Sequence, residues 1–265
     1  MCYRFELINF QFGKFDDSVD ISYVIHLEDN DRYENIVKQI NMFQPTKKLY
    51  ICFNKGYKKC DKDEHITKSN LDVVDTYINI FKHCKENGYK NALIFEDDFA
   101  FSKNILNTNY THHINNFLNK HKDEEFVYML GNLPVLQMPY LGSDTSILLV
   151  GMGTHACFYS EKMINKTIKD NNKNILDWDE YIRKFRRYMF KIPLCYQLFP
   201  ITENYNNWTD NLSTKVIKNI ISFNSLDKQY EPGFTRMYWF SYVLFYVCII
   251  LIIVIISLII IKLKE

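Results

Sequence analysis

The feature that most constrains the fold is a run without a charged residue near the carboxyl end, YWFSYVLFYVCIILIIVIISLIII, from Tyr238 to Ile261. A helix of about 24 such residues can cross a hydrocarbon core of roughly 30 Å. A buried core helix is the alternative, but core helices of this length usually keep a polar stripe. The run therefore predicts a transmembrane helix over residues 237–261, after a linker of residues 231–236 and before a tail of residues 262–265.

The residues around this run bear on orientation in the membrane. Arg236 precedes the run, and Lys262 and Lys264 follow it, so the charge bias is weak. The amino-terminal segment MCYRFELINFQF lacks the long apolar core and the small-residue cleavage site of a signal peptide. We therefore expect a single-pass, tail-anchored membrane protein with residues 1–230 in the cytosol. Cutting the chain before Met237 is expected to release a soluble domain.

Cysteines and glycosylation sequons give two further expectations about the compartment. The seven cysteines are odd in number and contain no CxxC pair, which suits reduced thiols. Sequons of the form Asn-X-Ser/Thr would matter only in a lumenal domain. They occur at Asn109, Asn165, Asn207 and Asn211. A chain this rich in Asn can produce sequons by chance. Because the sequence lacks a signal peptide, we expect all four to stay unmodified.

The remaining composition is that of a globular domain. Of 265 residues, 24% are charged and 47% hydrophobic, and the formal net charge is +1. A chain of this length can bury a full core. The absence of a basic excess excludes a nucleic-acid partner of the usual electrostatic kind.

The first half of the chain alternates predicted strands and helices. Apolar runs predict strands over Ile21–Leu27, Lys48–Phe53 and Leu93–Phe95. Between them, helical spacing predicts one helix that ends near Phe43 and another from Leu71 to Lys85. The order βαβαβ is that of a nucleotide-binding half-sheet, so we expect an α/β, Rossmann-like domain.

The second half gives a weaker pattern. Helices are predicted over residues 105–122, 161–169 and 178–189, and a strand over residues 125–130. Residues 146–150 and 156–159 flank the segment GMGTH like an antiparallel pair. The polar segment 209–230 then joins the domain to the membrane helix.

Three consecutive acids, Glu96-Asp97-Asp98, follow the third predicted strand in NALIFEDDFAF. Adjacent carboxylates repel one another and are rarely buried without a partner, so they need either water or a cation. A solvated turn or a helix cap would expose the acids to water. A ligand site at the carboxyl end of a strand would provide a cation.

The order of several segments resembles glycosyltransferase family 25, which includes lipooligosaccharide and procollagen galactosyltransferases. The resemblance rests on IFEDDFAF after a helix ending KENGYKNAL, then GTHACFYSEKMINKTI, then LDWDEYI. The opening strand VIHLEDNDR is also similar, and the resemblance spans Ile21 to about Trp208. Thr76 and Tyr77 stand where the family usually has a Ser-His pair. The turn after the first strand keeps only Asp31-Arg32 of the usual double arginine.

This resemblance implies a GT-A-like fold, a nucleotide-sugar donor (UDP-sugar), a glycan or glycoprotein acceptor, and a divalent metal, manganese. Asp98 would be the direct metal ligand, and Glu96 a further ligand or a ribose contact. Asp97 would point to the other side of the strand. The implied donor-binding residues are Glu96, Asp97, Arg32 and His155. The alternative for His155 is a structural histidine beside a tight glycine turn.

The resemblance also brings Asp177 and Asp179 into the site. An inverting transfer needs a base for the acceptor hydroxyl, and either acid could serve. Asp177 could instead cap a helix that begins at Trp178. Trp178 could form a platform for a sugar or belong to the core. Asn132 and the run Thr202–Trp208 are polar near predicted strand ends, where the run could line the acceptor side or form a surface loop.

Two other functions remain open at this stage. A membrane-tethered, catalytically inactive binding or scaffolding protein could keep the fold, and the missing Ser-His pair leaves room for it. A metal-dependent phosphoryl hydrolase would also use clustered acids, but it needs more ligands than one strand supplies.

Overall fold

The computed structural model describes residues 1–28, 30–170, 174–197 and 212–264, and the chain forms a mixed α/β fold with a long carboxyl-terminal helix. In chain order, the elements are β1 (Tyr3–Asn9), β2 (Ile21–Leu27), α1 (Tyr33–Met42), β3 (Lys48–Asn54), α2 (Ser69–Glu86), β4 (Ala92–Phe95), β5 (Phe99–Phe101), a 3-10 turn (Lys103–Leu106), α3 (Thr108–His121), β6 (Phe126–Pro139), β7 (Thr145–Tyr159), α4 (Glu161–Lys169), α5 (Trp178–Ile182), β8 (Arg186–Phe190), β9 (Cys195–Gln197), α6 (Leu212–Phe223) and α7 (Gly233–Lys262).

Seven strands form one sheet in the order β1-β3-β2-β4-β7-β6-β8, and β5 pairs with β9 in a second, two-stranded sheet. Strands β2, β3 and β4 are parallel and are joined through α1 and α2, which confirms the predicted βαβαβ unit. Strand β4 lies in the middle with all four residues buried. Hydrophobic clusters cover both faces, so its apolar run matches a strand buried on two sides.

Strand β7 runs unbroken from Thr145 to Tyr159, so the predicted antiparallel pair around GMGTH is wrong. It pairs antiparallel with both β4 and β6, and the pairing with β6 contains register shifts. The glycines mark these irregularities rather than a hairpin turn. A Cβ on Gly151 would lie 2.9 Å from the carbonyl oxygen of Leu133, and Gly153 has a φ of +97°.

The predicted helix over residues 178–189 is also wrong in its second half. Helix α5 ends at Ile182, and Arg186–Phe190 forms β8. This strand pairs in parallel with β6 and antiparallel with β7. Tertiary pairing with two long strands outweighs the local helical spacing.

The amino-terminal segment forms an unpredicted edge strand, β1, which pairs antiparallel with β3. A disulfide joins Cys2, just before β1, to Cys60 in the segment after β3. The expectation of reduced thiols is therefore wrong for these two residues. Cys52, Cys84, Cys157 and Cys195 are free and buried, as the apolar runs around them indicate.

Helix α7 is the one helix in the described ranges that is long and apolar enough to cross a membrane. No part of its most apolar window is buried, whereas the core helix of a soluble protein is mostly buried. The helix begins at Gly233, within the expected linker of residues 231–236, and its first turns pack against the domain. Helix α6 lies in the polar segment predicted to join the domain to the membrane helix.

Candidate functional site

The acids of NALIFEDDFAF form the turn between β4 and β5. The backbone N–H of Glu96 donates to the carbonyl oxygen of His155 at 3.0 Å, and that of Phe99 donates to the carbonyl oxygen of Glu96 at 3.2 Å. The turn therefore begins where β4 ends its pairing with β7. The three acid side chains separate here into different surroundings.

Asp97 is fixed to the turn that follows β2. Its carboxylate forms an ion pair with the guanidinium of Arg32 and accepts from the side-chain amide of Asn30. The backbone N–H of Leu27 donates to the same carboxylate at 3.3 Å. Arg32 and Asp97 are both buried, so the two residues predicted to bind a donor hold the strand ends together in this structure.

Glu96 accepts two hydrogen bonds on one carboxylate oxygen. The hydroxyl of Thr154 donates to Oε1 at 2.6 Å, and the hydroxyl of Tyr77 donates to it at 3.0 Å. Burial raises the pKa of Glu96 to about 8, and the charges of Asp98 and Asp179 add to the increase. Glu96 therefore lies within electrostatic range of Asp98 and Asp179.

Asp98 is buried at the junction of the two sheets. Its Oδ2 accepts from the side-chain amide of Gln197 at 3.1 Å, and β5–β9 pairing brings Gln197 there. Its Oδ1 is buried and has no hydrogen-bond partner among the residues that the structure describes. Burial, followed by the charge of Asp97, raises the pKa of Asp98 to about 6. Such an orphaned carboxylate oxygen is costly unless a cation or water satisfies it.

The two acids of the segment LDWDEYI have different surroundings: Asp177 caps a helix, and Asp179 lies beside the acid turn. Asp177 is the N-cap of α5, where its side chain accepts from the backbone N–H of Glu180 at 3.0 Å. Asp179 is partly exposed, and its Oδ1 accepts from the backbone N–H of Gly153 at 3.0 Å. Burial, followed by the charge of Asp177, raises the pKa of Asp179 to about 6.

Trp178 and His155 occupy structural positions. The indole of Trp178 stacks on the ring of Tyr77 with centroids 4.2 Å apart, and its Nε1 donates to the hydroxyl of Tyr159 at 3.1 Å. His155 is fully buried, with Nε2 3.3 Å from the carbonyl oxygen of Cys195. Burial lowers its pKa to about 4, so the imidazole is neutral. Neither ring offers a surface to a sugar or a diphosphate.

Tyr77 takes part in the site although the sequence marked it only as a departure from the family pattern. Its hydroxyl reaches Glu96 from α2, while the neighbouring Thr76 donates to the carbonyl oxygen of Asp72 at 2.7 Å and faces away. Thr154 and Gln197 are the other contributors that sequence reasoning missed. Only Thr154 carried a local signal, because it lies in the GMGTH segment beside a glycine.

Two further predicted residues do not join the acids. Asn132 is fully buried in β6, and its backbone N–H donates to the hydroxyl of Tyr238 at 3.2 Å. The run Thr202–Trp208 lies outside the described residues. A surface depression of about 590 Å³ is lined by Tyr3, Lys62 and Asp75 among others, and none of its lining residues belongs to the acidic site.

The carboxylates of the described residues can supply only some of the ligands that a divalent ion needs. Across the ranges that the structure covers, no group of three or more His, Cys, Asp or Glu side chains could hold a metal by itself. Magnesium and manganese sites often use one or two carboxylates and take their remaining ligands from substrate phosphates and water. The orphaned Oδ1 of Asp98, with Glu96 nearby, fits this second type of site.

Comparisons with known proteins give little guidance. Neither a known protein family nor a curated protein matches the sequence. Among solved structures, the chain is similar to the crystal structure of a glycosyltransferase involved in the glycosylation of the major capsid of PBCV-1. The two chains are 10% identical in sequence, and their TM-score is 0.33. The match covers 56% of this chain and 63% of the glycosyltransferase, so this chain spans less than two thirds of that protein's length. A similarity at this level carries no argument here.

Proposed function

We propose that the protein is a glycosyltransferase that moves a sugar from a nucleotide-diphosphate donor, such as a UDP-sugar, to a hydroxyl of a glycan or glycoprotein. The observation that carries this proposal is that Glu96 and Asp98 follow the carboxyl end of β4, while Asp179 is held by Gly153, the residue next to the Thr154 that holds Glu96. Open α/β sheets bind their ligands at this end. The family 25 resemblance of the same segments supports the same chemistry.

We assign the divalent cofactor, manganese by expectation, to Asp98, with Glu96 as a further ligand or a ribose contact. The buried, unpartnered Oδ1 of Asp98 is the atom best suited to a cation. When bound, the ion would neutralise the negative charge that grows on a diphosphate leaving group. Gln197 and Thr154 hold the two carboxylates in place through their hydrogen bonds.

Asp179 is the better candidate for the base. It is partly exposed and held by the N–H of Gly153, whereas Asp177 is occupied as a helix cap. A carboxylate with a pKa of about 6 is ionised at neutral pH yet more basic than an ordinary aspartate. This suits the removal of a proton from an acceptor hydroxyl. The cap at Asp177 orients the helix that carries Asp179.

A membrane-tethered binding protein without catalytic activity is the second candidate. The observation that favours it is the shortage of metal-ligating side chains, because the described residues contain no group of three that could hold an ion. The pairing of Arg32 with Asp97 also occupies two residues assigned to the donor. Donor binding without turnover would be the property of such a protein.

The test uses the full chain in detergent micelles with manganese and a panel of nucleotide sugars, and it measures the nucleotide diphosphate released. We expect manganese-dependent release from one donor and its loss in Asp98→Asn. A matched control is Asp63→Asn, which removes an exposed carboxylate outside the site. Binding without release would establish the second candidate, and release of phosphate without sugar would indicate a hydrolase. No binding and no release would overturn the proposal.

A further inference from the structure

The first turns of α7 belong to the folded domain. Gly233, Phe234, Met237, Tyr238 and Ser241 are buried. Phe234 and Met237 pack in one hydrophobic cluster with Leu133 of β6, and Tyr238 packs in the larger cluster beneath the sheet. A Cβ on Gly233 would collide with the carbonyl oxygen of Asn224. The helix is therefore fixed to the domain from its first residue.

Hydrogen bonds fix the same two turns to β6. The side-chain amide of Gln137 donates to the carbonyl oxygen of Tyr238 at 2.8 Å and to the hydroxyl of Ser241 at 2.8 Å. The backbone N–H of Asn132 donates to the hydroxyl of Tyr238 at 3.2 Å. Because these groups are buried, releasing the helix would leave several polar atoms unsatisfied. The helix cannot act as a flexible tether.

The rest of α7 is only as long as a bilayer core. From Tyr242 to Lys262 the helix has about 21 residues, which at 1.5 Å per residue span about 31 Å. The hydrocarbon core of a bilayer is roughly 30 Å thick. No spacer is left between the last buried residue, Ser241, and the membrane. The surface of the domain around this exit point must then lie at the bilayer.

That surface carries exposed apolar side chains, which we call the collar. Its members and their exposed fractions are Val135 39%, Leu149 41%, Val150 50%, Trp239 67% and Phe240 59%. The three strand residues of the collar lie where α7 leaves the domain. Leu136 of β6 pairs with Val150 of β7, and the next residue, Gln137, pairs with Leu148. The side chain of Gln137 donates a hydrogen bond to α7. Leu149 and Val150 are consecutive on β7, so one exposed side chain lies on each face of the sheet at this level. Exposed apolar groups gathered at one level of a fold mark contact with a protein or a membrane. Aromatic residues at such a level are typical of the membrane interface.

We propose that the collar rests in the interfacial layer of a lipid bilayer, so that the sheet itself contacts lipid beside α7. This inference does not depend on the proposed function. Its occupant is the bilayer because the collar is continuous with a helix whose exposed length matches the hydrocarbon core. The contact also places the site near the membrane, because Gly153 lies three residues beyond Val150 on β7, about 10 Å away.

The test places a fluorescent NBD label on the full chain in phosphatidylcholine nanodiscs that contain a lipid with a doxyl quencher near the headgroup. The label is attached at Leu149→Cys, in a Cys248→Ala background that removes the free cysteine of α7. The control is Leu7→Cys, which has the same 41% exposure and lies on the edge strand β1, with three strands between it and β7. Trp239 cannot serve as the probe, because it lies on α7 and would be quenched in either case.

We expect the doxyl lipid to quench the label at Leu149 severalfold and to leave the label at Leu7 nearly unchanged. A group buried roughly 5–10 Å into the headgroup and acyl boundary lies within reach of such a quencher. Equal, weak quenching at both positions would overturn the proposal. If Leu149→Cys does not fold, Val150→Cys tests the same level of the fold from the other face of β7. Donor turnover is not measured, so this result and the test of the proposed function stand separately.

Discussion

At the scale of single residues, one carboxylate oxygen determines what the acid turn can do. Asp98 is buried, one of its oxygens accepts from Gln197, and the other has no partner within the described part of the chain. Its folded-state pKa is raised to about 6. Between the unfolded pKa and about 6 the folded state holds more protons than the unfolded state, so stability falls as pH rises through this range. Above pH 6 the full penalty of the buried charge is present.

Replacing Asp98 with Asn should therefore stabilise the protein at pH 7 when no metal is present. The gain should be on the order of 1–3 kcal/mol, because a neutral amide avoids the buried charge. The same change should abolish any stabilisation by manganese and nucleotide diphosphate. Melting scans at pH 5 and pH 7, with and without manganese plus nucleotide diphosphate, would measure both effects. A variant that melts like the wild type under all four conditions would return the turn to a purely structural role.

The two acids of LDWDEYI provide a matched pair for locating the base. Asp179→Asn should lower turnover by about 10²–10⁴-fold, the usual contribution of a general base. Wild-type turnover should rise with pH up to about 6 and then level off, because the base acts in its ionised form. Asp177→Asn should be nearly silent, since Asn caps a helix as well as Asp does. A large loss in Asp177→Asn with little loss in Asp179→Asn would reverse the assignment.

The sequence predicted the acids but not their partners. Glu96, Asp97 and Asp98 are visible as a cluster after an apolar run, and strand alternation already separates Asp97 from the other two. Tyr77, Thr154 and Gln197 come from α2, β7 and β9 and meet the acids only after the sheet has formed. No local pattern marks a buried tyrosine as a hydrogen-bond donor to a distant carboxylate.

At the scale of elements, periodicity identified the buried strands and amphipathic helices and failed where tertiary pairing dominates. The predicted bounds of α1, β3 and α2 agree with the structure to within about two residues. The failures lie at β7, β8 and β1, whose long-range partners outweigh local signals. At β7, the glycines that suggested a turn serve as bulges within a continuous strand.

The junction of α7 with the domain changes the expected outcome of truncation. A chain cut before Met237 loses Met237, Tyr238 and Ser241 from the interior, so it should be strongly destabilised rather than released as an intact domain. Loss of a buried aromatic side chain alone costs about 3–5 kcal/mol. A chain that ends after Phe245 keeps these residues and should fold. Melting temperatures of the two truncations compare them directly, and equal stability would show that the first turns of α7 contribute nothing to the core.

At the scale of the whole molecule, the disulfide bears on the compartment. Cys2–Cys60 ties the edge strand β1 to the segment after β3, and structural disulfides persist in oxidising compartments. It therefore favours a domain outside the cytosol, contrary to the tail-anchored orientation expected from the sequence. The sequon at Asn109 is exposed and would be available there.

Two measurements in a eukaryotic host decide the orientation. We expect non-reducing peptide mapping to recover Cys2 joined to Cys60, and we expect an endoglycosidase-sensitive mass shift that decreases in Asn109→Gln. Closing a loop across 58 residues should contribute about 4 kcal/mol by chain entropy, so reductant should lower the melting temperature. The double variant Cys2→Ser/Cys60→Ser is the control, because its melting should not respond to reductant. Free thiols at both positions together with an unmodified Asn109 would restore the cytosolic orientation.

The short stretch of β7 between Val150 and Gly153 has a kinetic consequence. Gly153, which holds the candidate base, lies about 10 Å along β7 from Val150. If the collar rests in the bilayer as proposed, an acceptor carried by lipid would meet the base by diffusion in a plane rather than in a volume. Transfer should then follow the mole fraction of acceptor in the bilayer and not its bulk concentration. Diluting such an acceptor with inert lipid at constant total amount should slow the reaction, whereas an acceptor free in water should be indifferent to added lipid.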